Sequence, residues 1–220
     1  MKHILILIFI LGALTTKAQR STYYSVSGEM IFSFADMEYQ GYEANSLMRW
    51  APFVNLQSFV NSDLSPSFGL FSGLAIRNVG YIYDDYIDPS TQVEYKKKFR
   101  TYNLGIPAGI KIGNLDKLFF FAGYEIEFPF AYKEKTFDDG DKIDKITGWF
   151  SNRTENFQHG VFAGITFPEG VNLKFKYYFS EFHNQDFTES SGVKPYAGLD
   201  SHVFYFSLSY GMFQNVKDYY

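Results

Sequence analysis

Residues Val171 to Ser180, VNLKFKYYFS, alternate without a break. Val171, Leu173, Phe175, Tyr177 and Phe179 fall on one side; Asn172, Lys174, Lys176, Tyr178 and Ser180 fall on the other. Successive side chains of a strand point to opposite faces, so this stretch reads as a β-strand with one apolar and one polar, cationic wall. Its length matches the roughly 9–11 residues that a tilted strand needs to cross a bilayer. A strand of this kind cannot stand alone. Its apolar wall needs lipid or a core, and its edges need partners.

The rest of the chain supplies those partners. Aromatic residues make up 20%, with 25 Phe and 18 Tyr, yet the mean hydropathy is only −0.18. Interleaved apolar and polar positions produce that combination, as a barrel wall requires. Alternating segments are expected at about residues 23–35, 48–60, 68–83, 99–112, 118–132, 149–167, 171–180 and 202–213. Pro52 and Pro107 are awkward within them, because proline cannot donate to a ladder. The intervening segments alternate in length. Polar stretches at about 36–47, 84–98, 133–148 and 181–201 are long; 61–66, 113–117 and 168–170 are short turns. Long, short, long is the connection rhythm of an up-and-down membrane barrel with long outer loops and short periplasmic turns. The expected fold is therefore all-β: an antiparallel transmembrane β-barrel of about eight strands, a number that leaves a bore just wide enough for side chains to fill.

The walls agree with this orientation. The polar faces are rich in Gly, Ser, Ala and Thr, which suit a narrow bore. The apolar faces carry Phe, Leu, Ile, Tyr and Val, for which lipid has room. A soluble barrel of lipocalin type, with the large rings turned inward, is the alternative, and volume argues against it. Trp50 and Trp149 sit near outer strand ends, where an interfacial aromatic girdle is expected.

Residues 1–18 read as a secretory signal peptide, and 19–220 as the barrel domain. Lys2 and His3 precede an aliphatic run from Ile4 to Leu14, and Thr16 and Ala18 offer small side chains before Gln19. The run is short for a spanning helix, which would be the alternative. Losing Lys2 and Lys17 takes the net charge from −4 to −6. This acidic balance gives no reason to expect nucleic acid. There is no Cys, which removes disulfides, thiolate metal sites, thiol catalysis and an acylated N-terminal cysteine.

The inward faces collect Glu29, Arg49, Arg77, Lys111, Glu125, Glu127, Lys174 and Lys176. Charges away from bulk water must be paired or hydrogen-bonded. The expected arrangement is a salt-bridged network that fills the bore; a narrow ion path is the alternative. A lipid-acting enzyme would need a nucleophile and a base within reach near the outer rim. Asp200, Ser201 and His202 are consecutive there, with Glu181 and His183 close in sequence. Neighbours on a strand diverge, so Ser201 and His202 could meet only if Ser201 lay in the loop. FDDGDKID, residues 137–144, lacks the spacing of a Ca²⁺ loop. Asn152-Arg153-Thr154 fits a glycosylation sequon that carries no information in this setting. No catalytic residue, metal site or cofactor is expected.

The phrases RWAPFVNLQSF, FGLFSGLAIRNVGYIYDD, YNLGIPAGIKIG and FAGYEIEF, with a leader ending KAQ, resemble the small outer-membrane barrels called porin-family or PorT-like proteins. They are patterns of alternation with Gly, not catalytic signatures. The resemblance implies the outer membrane of a Gram-negative cell, and some relatives are implicated in secretion-system assembly. The expected partners are outer-membrane lipids, together with envelope or secretion-complex proteins or surface ligands met by the outer loops.

Overall fold

The computed structural model describes residues 21–88 and 91–217; the expected signal peptide lies outside them. Twelve strand segments form one antiparallel sheet: β1 (Ser21–Tyr39), β2 (Tyr42–Glu43), β3 (Ser46–Leu47), β4 (Arg49–Ala51), β5 (Leu56–Ser65), β6 (Phe68–Ile87), β7 (Glu94–Gly113), β8 (Phe119–Asp138), β9 (Asp141–Trp149), β10 (Gln158–Thr166), β11 (Val171–Tyr178) and β12 (Leu199–Lys217). Hydrogen-bonded neighbours run β10-β11-β12-β1-β5-β6-β7-β8, and β8 pairs in turn with β10. The path therefore closes on itself through the lower part of β8, while β9 pairs with β8 alone.

The segment count exceeds the expected eight for physical reasons. Pro52 and Val54, the latter at φ 63°, break the chain between β4 and β5, although both segments pair with β1. Asn55 bridges the gap: its side-chain NH₂ donates to the Ala51 carbonyl at 2.7 Å, and its Oδ1 accepts from the Asn78 amide at 2.7 Å. A second interruption, residues 150–157, separates β9 from β10, which pair with the upper and lower halves of β8. Pro107 stays within β7 where the β6 ladder skips, and its carbonyl accepts from Ser72 at 2.8 Å.

All four expected long loops are partly strand, 181–201 only at its end, where β12 begins at Leu199. Residues 133–148 form a hairpin of β8 and β9 around Asp139 and Gly140, at φ 45° and 90°. Two consecutive positive φ values suit the tight turn that matches strand twist, and Asp-Gly is a favoured pair for it. The FDDGDKID stretch is thus a hairpin tip. Gln40 and Gly41 turn β1 into β2 in the same way, at φ 53° and 82°. β6 and β7 likewise run on into the expected 84–98 loop.

The wall changes character along its height. Near the short-turn end, Leu70, Leu74, Ile76, Ile106, Phe120, Tyr124, Leu173 and Phe206 are exposed on the outside. Toward the long-loop end, the large apolar groups turn inward. Val79, Tyr81, Tyr83, Phe99, Tyr132, Phe182 and Tyr196 are buried there in one core with Ile31 and Val203. A bulge at Phe130, between the pairs Tyr102↔Ala131 and Asn103↔Pro129, shifts the parity of β8. Below it even-numbered residues face out; above it Tyr132, Glu134 and Thr136 face in.

Candidate functional site

Period-two alternation aims Glu29 of β1, Arg77 of β6, Glu125 and Glu127 of β8, and Lys174 and Lys176 of β11 into the bore. The stagger of the strands brings these six to one height. Arg77 Nε lies 2.9 Å from Glu125 Oε1 and 3.4 Å from Glu127 Oε1, and its Nη1 is bonded to Glu29. Lys174 reaches Glu29 at 2.6 Å. Lys176 bridges Glu125 at 2.6 Å and Glu127 at 2.5 Å. Neutral groups complete the set. Tyr178 donates to Glu127 at 2.8 Å, Asn103 donates to Glu127 at 2.7 Å and to Gln158 at 2.8 Å, and Ser207 donates to Glu29. Three carboxylates thus face three cations, all nearly inaccessible, and every carboxylate oxygen has a donor. This is the condition under which buried charge is tolerated.

Arg49 and Lys111 stand apart from that cluster. Arg49 Nη1 donates to the Asn78 carbonyl at 3.2 Å and Nη2 to the Asn78 side chain, with no carboxylate partner among the described residues. Lys111 lies nearer the short turns, at 2.5 Å from Asp63 and 2.9 Å from the Tyr23 hydroxyl. Below the ionic cluster, Phe71, Phe121 and Phe162 form a triangle with centroids 6.0–6.3 Å apart. Beneath the triangle a cavity of about 480 Å³ opens toward the short turns at Leu115–Lys117 and Pro168–Gly170. Trp50 and Trp149 point outward, 58% and 74% exposed.

A second buried layer lies above the ionic cluster, and alternation alone did not reveal it. The 179–198 connection folds back into the mouth. It stacks His183 on Tyr196 at 4.2 Å and sets it edge-on to Phe99 at 4.5 Å and Phe182 at 4.9 Å. His183 Nε2 is 3.0 Å from the Tyr81 hydroxyl. Burial drives its pKa down to about 3, so the ring is neutral at ordinary pH. Glu134 accepts from Tyr132 at 2.9 Å, Tyr196 at 2.8 Å and Lys97 at 2.8 Å. Arg153 donates to Tyr196 at 2.9 Å and Glu189 at 2.7 Å. Arg153 and Thr154 of the sequon are therefore part of a packed mouth, with Thr154 buried, while Asn152 is exposed. The one advance sign was a connection, 179–198, carrying three Phe, a Tyr and a His.

The candidate enzyme residues do not assemble. Ser201 lies within β12 and points inward, wholly buried, with no partner for its hydroxyl among the described residues. His202 points outward and contacts Glu181 at 3.0 Å. Among the described residues no cluster of three or more His, Asp or Glu is placed to hold a metal.

No protein-family model matches the chain, and no curated protein matches it. Among solved structures, it is similar to Ail, the attachment invasion locus protein of Yersinia pestis, in complex with a heparin analogue. Identity there is 9%, over 87% of this chain and 99% of that one, at a TM-score of 0.41. It is similar to the outer membrane protein OprG from Pseudomonas aeruginosa at 9% identity, over 89% and 97% of the two chains, with a TM-score of 0.38. It is also similar to a major outer membrane protein from Thermus thermophilus at 14% identity, over 86% and 99%, with a TM-score of 0.38.

Proposed function

We propose that the chain is a non-enzymatic outer-membrane barrel with a closed bore, acting through its long-loop end. In this reading the twelve segments work as eight staves: β2 to β5 make one interrupted stave, β9 and β10 another, and each remaining strand one. The exposed Leu, Ile, Phe and Tyr of the lower wall face hydrocarbon, and Trp50 and Trp149 mark its outer border. The observation that carries the reading is the balanced ionic cluster. Water in a conducting bore would compete for those carboxylates, whereas here protein donors occupy them and the His183 layer packs above. A plug of this kind fixes register and shuts the path. The phrases of alternation quoted above support kinship with PorT-like proteins, and through it a role as accessory subunit in an envelope or secretion complex.

The outer end suits contact. Tyr42, Ile143 and Val193 are exposed there on a framework stiffened by the buried mouth. Planar-bilayer recording tests the closed bore: no sustained openings are expected from the intact protein, and stable conductance abolished by Lys174→Gln would overturn it. Capture from gently solubilised membranes tests the accessory role. Recovery of stable envelope partners supports it, and recovery of the barrel alone argues for loop contacts with transient ligands.

A further inference from the structure

The outer wall carries a second ordered feature, directly above the girdle. Tyr102 of β7, Phe130 of β8 and Trp149 of β9 stack side by side, with centroids 6.3 and 6.1 Å apart and planes within 23° and 20°. Two residues closer to the long-loop end, Arg100 is paired opposite Lys133. Two residues further, Lys98, Lys135 and Lys145 stand in one cross-strand row, and Lys142 follows opposite Phe137. These six cations share one face, because the intervening Phe99, Tyr132, Glu134 and Thr136 point inward and are buried.

Like charges directly opposite one another destabilise a ladder. Among the described residues no carboxylate offsets them, although the Lys98 ammonium lies 4.7 Å over the Phe137 ring. None of the six makes an ion pair: Asp84 holds Lys96 at 2.8 Å, Glu134 holds Lys97 at 2.8 Å, and Asp144 is paired opposite Thr136 on the other face. Arg100, Lys135, Lys142 and Lys145 all contribute to the positive field at Lys133. The Arg100 guanidinium sits 4.7 Å over the Tyr102 ring, and among the described residues its Nε has no hydrogen-bond partner.

Depth identifies the counter-charge. Two strand residues span about 7 Å, or about 5 Å along the bilayer normal at barrel tilt. The headgroup layer on each side is roughly 5–8 Å thick. The Arg100–Lys133 row therefore falls among headgroups, and the Lys98–Lys135–Lys145 row at their outer edge. We infer that this face binds the phosphate groups of a phosphorylated lipid in the leaflet on the long-loop side, with Arg100 supplying a planar two-donor fork and Lys133 and Lys135 point charges. A soluble polyanion would need no alignment with the ring ladder, whereas a lipid packed on the wall must meet it. The inference rests on the membrane reading given above.

The test reconstitutes the whole barrel in phosphatidylcholine nanodiscs doped with diphosphorylated lipid A or with its dephosphorylated form, and measures retained lipid by native mass spectrometry. The phosphorylated form should be retained preferentially. Arg100→Gln/Lys133→Gln/Lys135→Gln should retain at least about tenfold less, since each basic residue near a lipid surface contributes comparably. Lys117→Gln/Lys194→Gln, which removes two cations elsewhere, should retain as much as the unaltered protein. Equal retention of both lipids, an unaffected triple variant, or displacement by equimolar inorganic phosphate would overturn the lipid site while leaving the membrane reading intact. Failure of the barrel to insert at all would overturn both.

Discussion

Removing Arg77 should be far more damaging alone than when one carboxylate is removed with it. Arg77 contacts Glu29, Glu125 and Glu127, and all four groups are almost fully buried. In Arg77→Leu, three carboxylates would face only Lys174 and Lys176, leaving one negative charge uncompensated. Breaking a buried pair in this way costs about 3–5 kcal/mol. Glu125→Gln alone leaves an excess cation and should cost a comparable amount. The double variant restores the balance: Lys174–Glu29 and Lys176–Glu127 are already in place at 2.6 and 2.5 Å. It should lie within about 2 kcal/mol of the unaltered barrel, giving a coupling of at least about 3 kcal/mol, or roughly a hundredfold in the unfolding equilibrium. Urea titration of the barrel in lipid vesicles, followed by tryptophan fluorescence, measures the cycle. If the two losses simply add, charge balance is not what holds the bore together.

His183 makes the mouth sensitive to acid. Its folded pKa of about 3 lies below the unfolded value near 6.5, so the unfolded chain binds the extra proton. The neutral ring's contribution is complete above about pH 6.5 and declines as the pH falls toward 3, by roughly 2–3 kcal/mol between pH 6.5 and 4.5. Hydrogen exchange of the 179–198 connection should accelerate over that range, and His183→Phe should flatten the response; an unchanged profile would contradict the burial argument. A different constraint acts at Gly164, where an added Cβ would lie 2.4 Å from Phe121 Cζ and 2.5 Å from the Leu173 carbonyl. Gly164→Ala should lower stability by about 1–3 kcal/mol in the same urea assay, with only partial recovery on adding Phe121→Leu because the carbonyl remains. No loss would mean that the ring triangle is loosely packed.

Alternation reads out faces but not heights. It placed Glu125, Glu127, Lys174 and Lys176 on inward faces, and it placed Leu173 and Phe175 outward. It could not tell that Lys111 would sit near the turns with Asp63, or that Arg49 would answer Asn78 instead of a carboxylate. Height depends on the stagger between strands, which is set by pairing and not by period. Beyond the Trp149 row the signal inverted. Lys133 and Lys135 face outward and Tyr132 and Glu134 inward, after a one-residue bulge at Phe130, so 133–148 looked like a charged loop. The Asp139-Gly140 pair was the available hairpin mark within it. His183 gave little sign because a single loop histidine has no period to betray its burial.

The proposed function turns on which wall of the strands meets lipid. Single-tryptophan barrels settle this directly, with Trp50 and Trp149 both replaced by Phe and a reporter placed on one side or the other. Leu173 is exposed on the outer wall, and Tyr205 is fully buried inside. In bilayers of lipids brominated along their acyl chains, Leu173→Trp should be strongly quenched and Tyr205→Trp scarcely at all. Quenching of the Tyr205→Trp reporter with sparing of Leu173→Trp would mean that the barrel faces the other way.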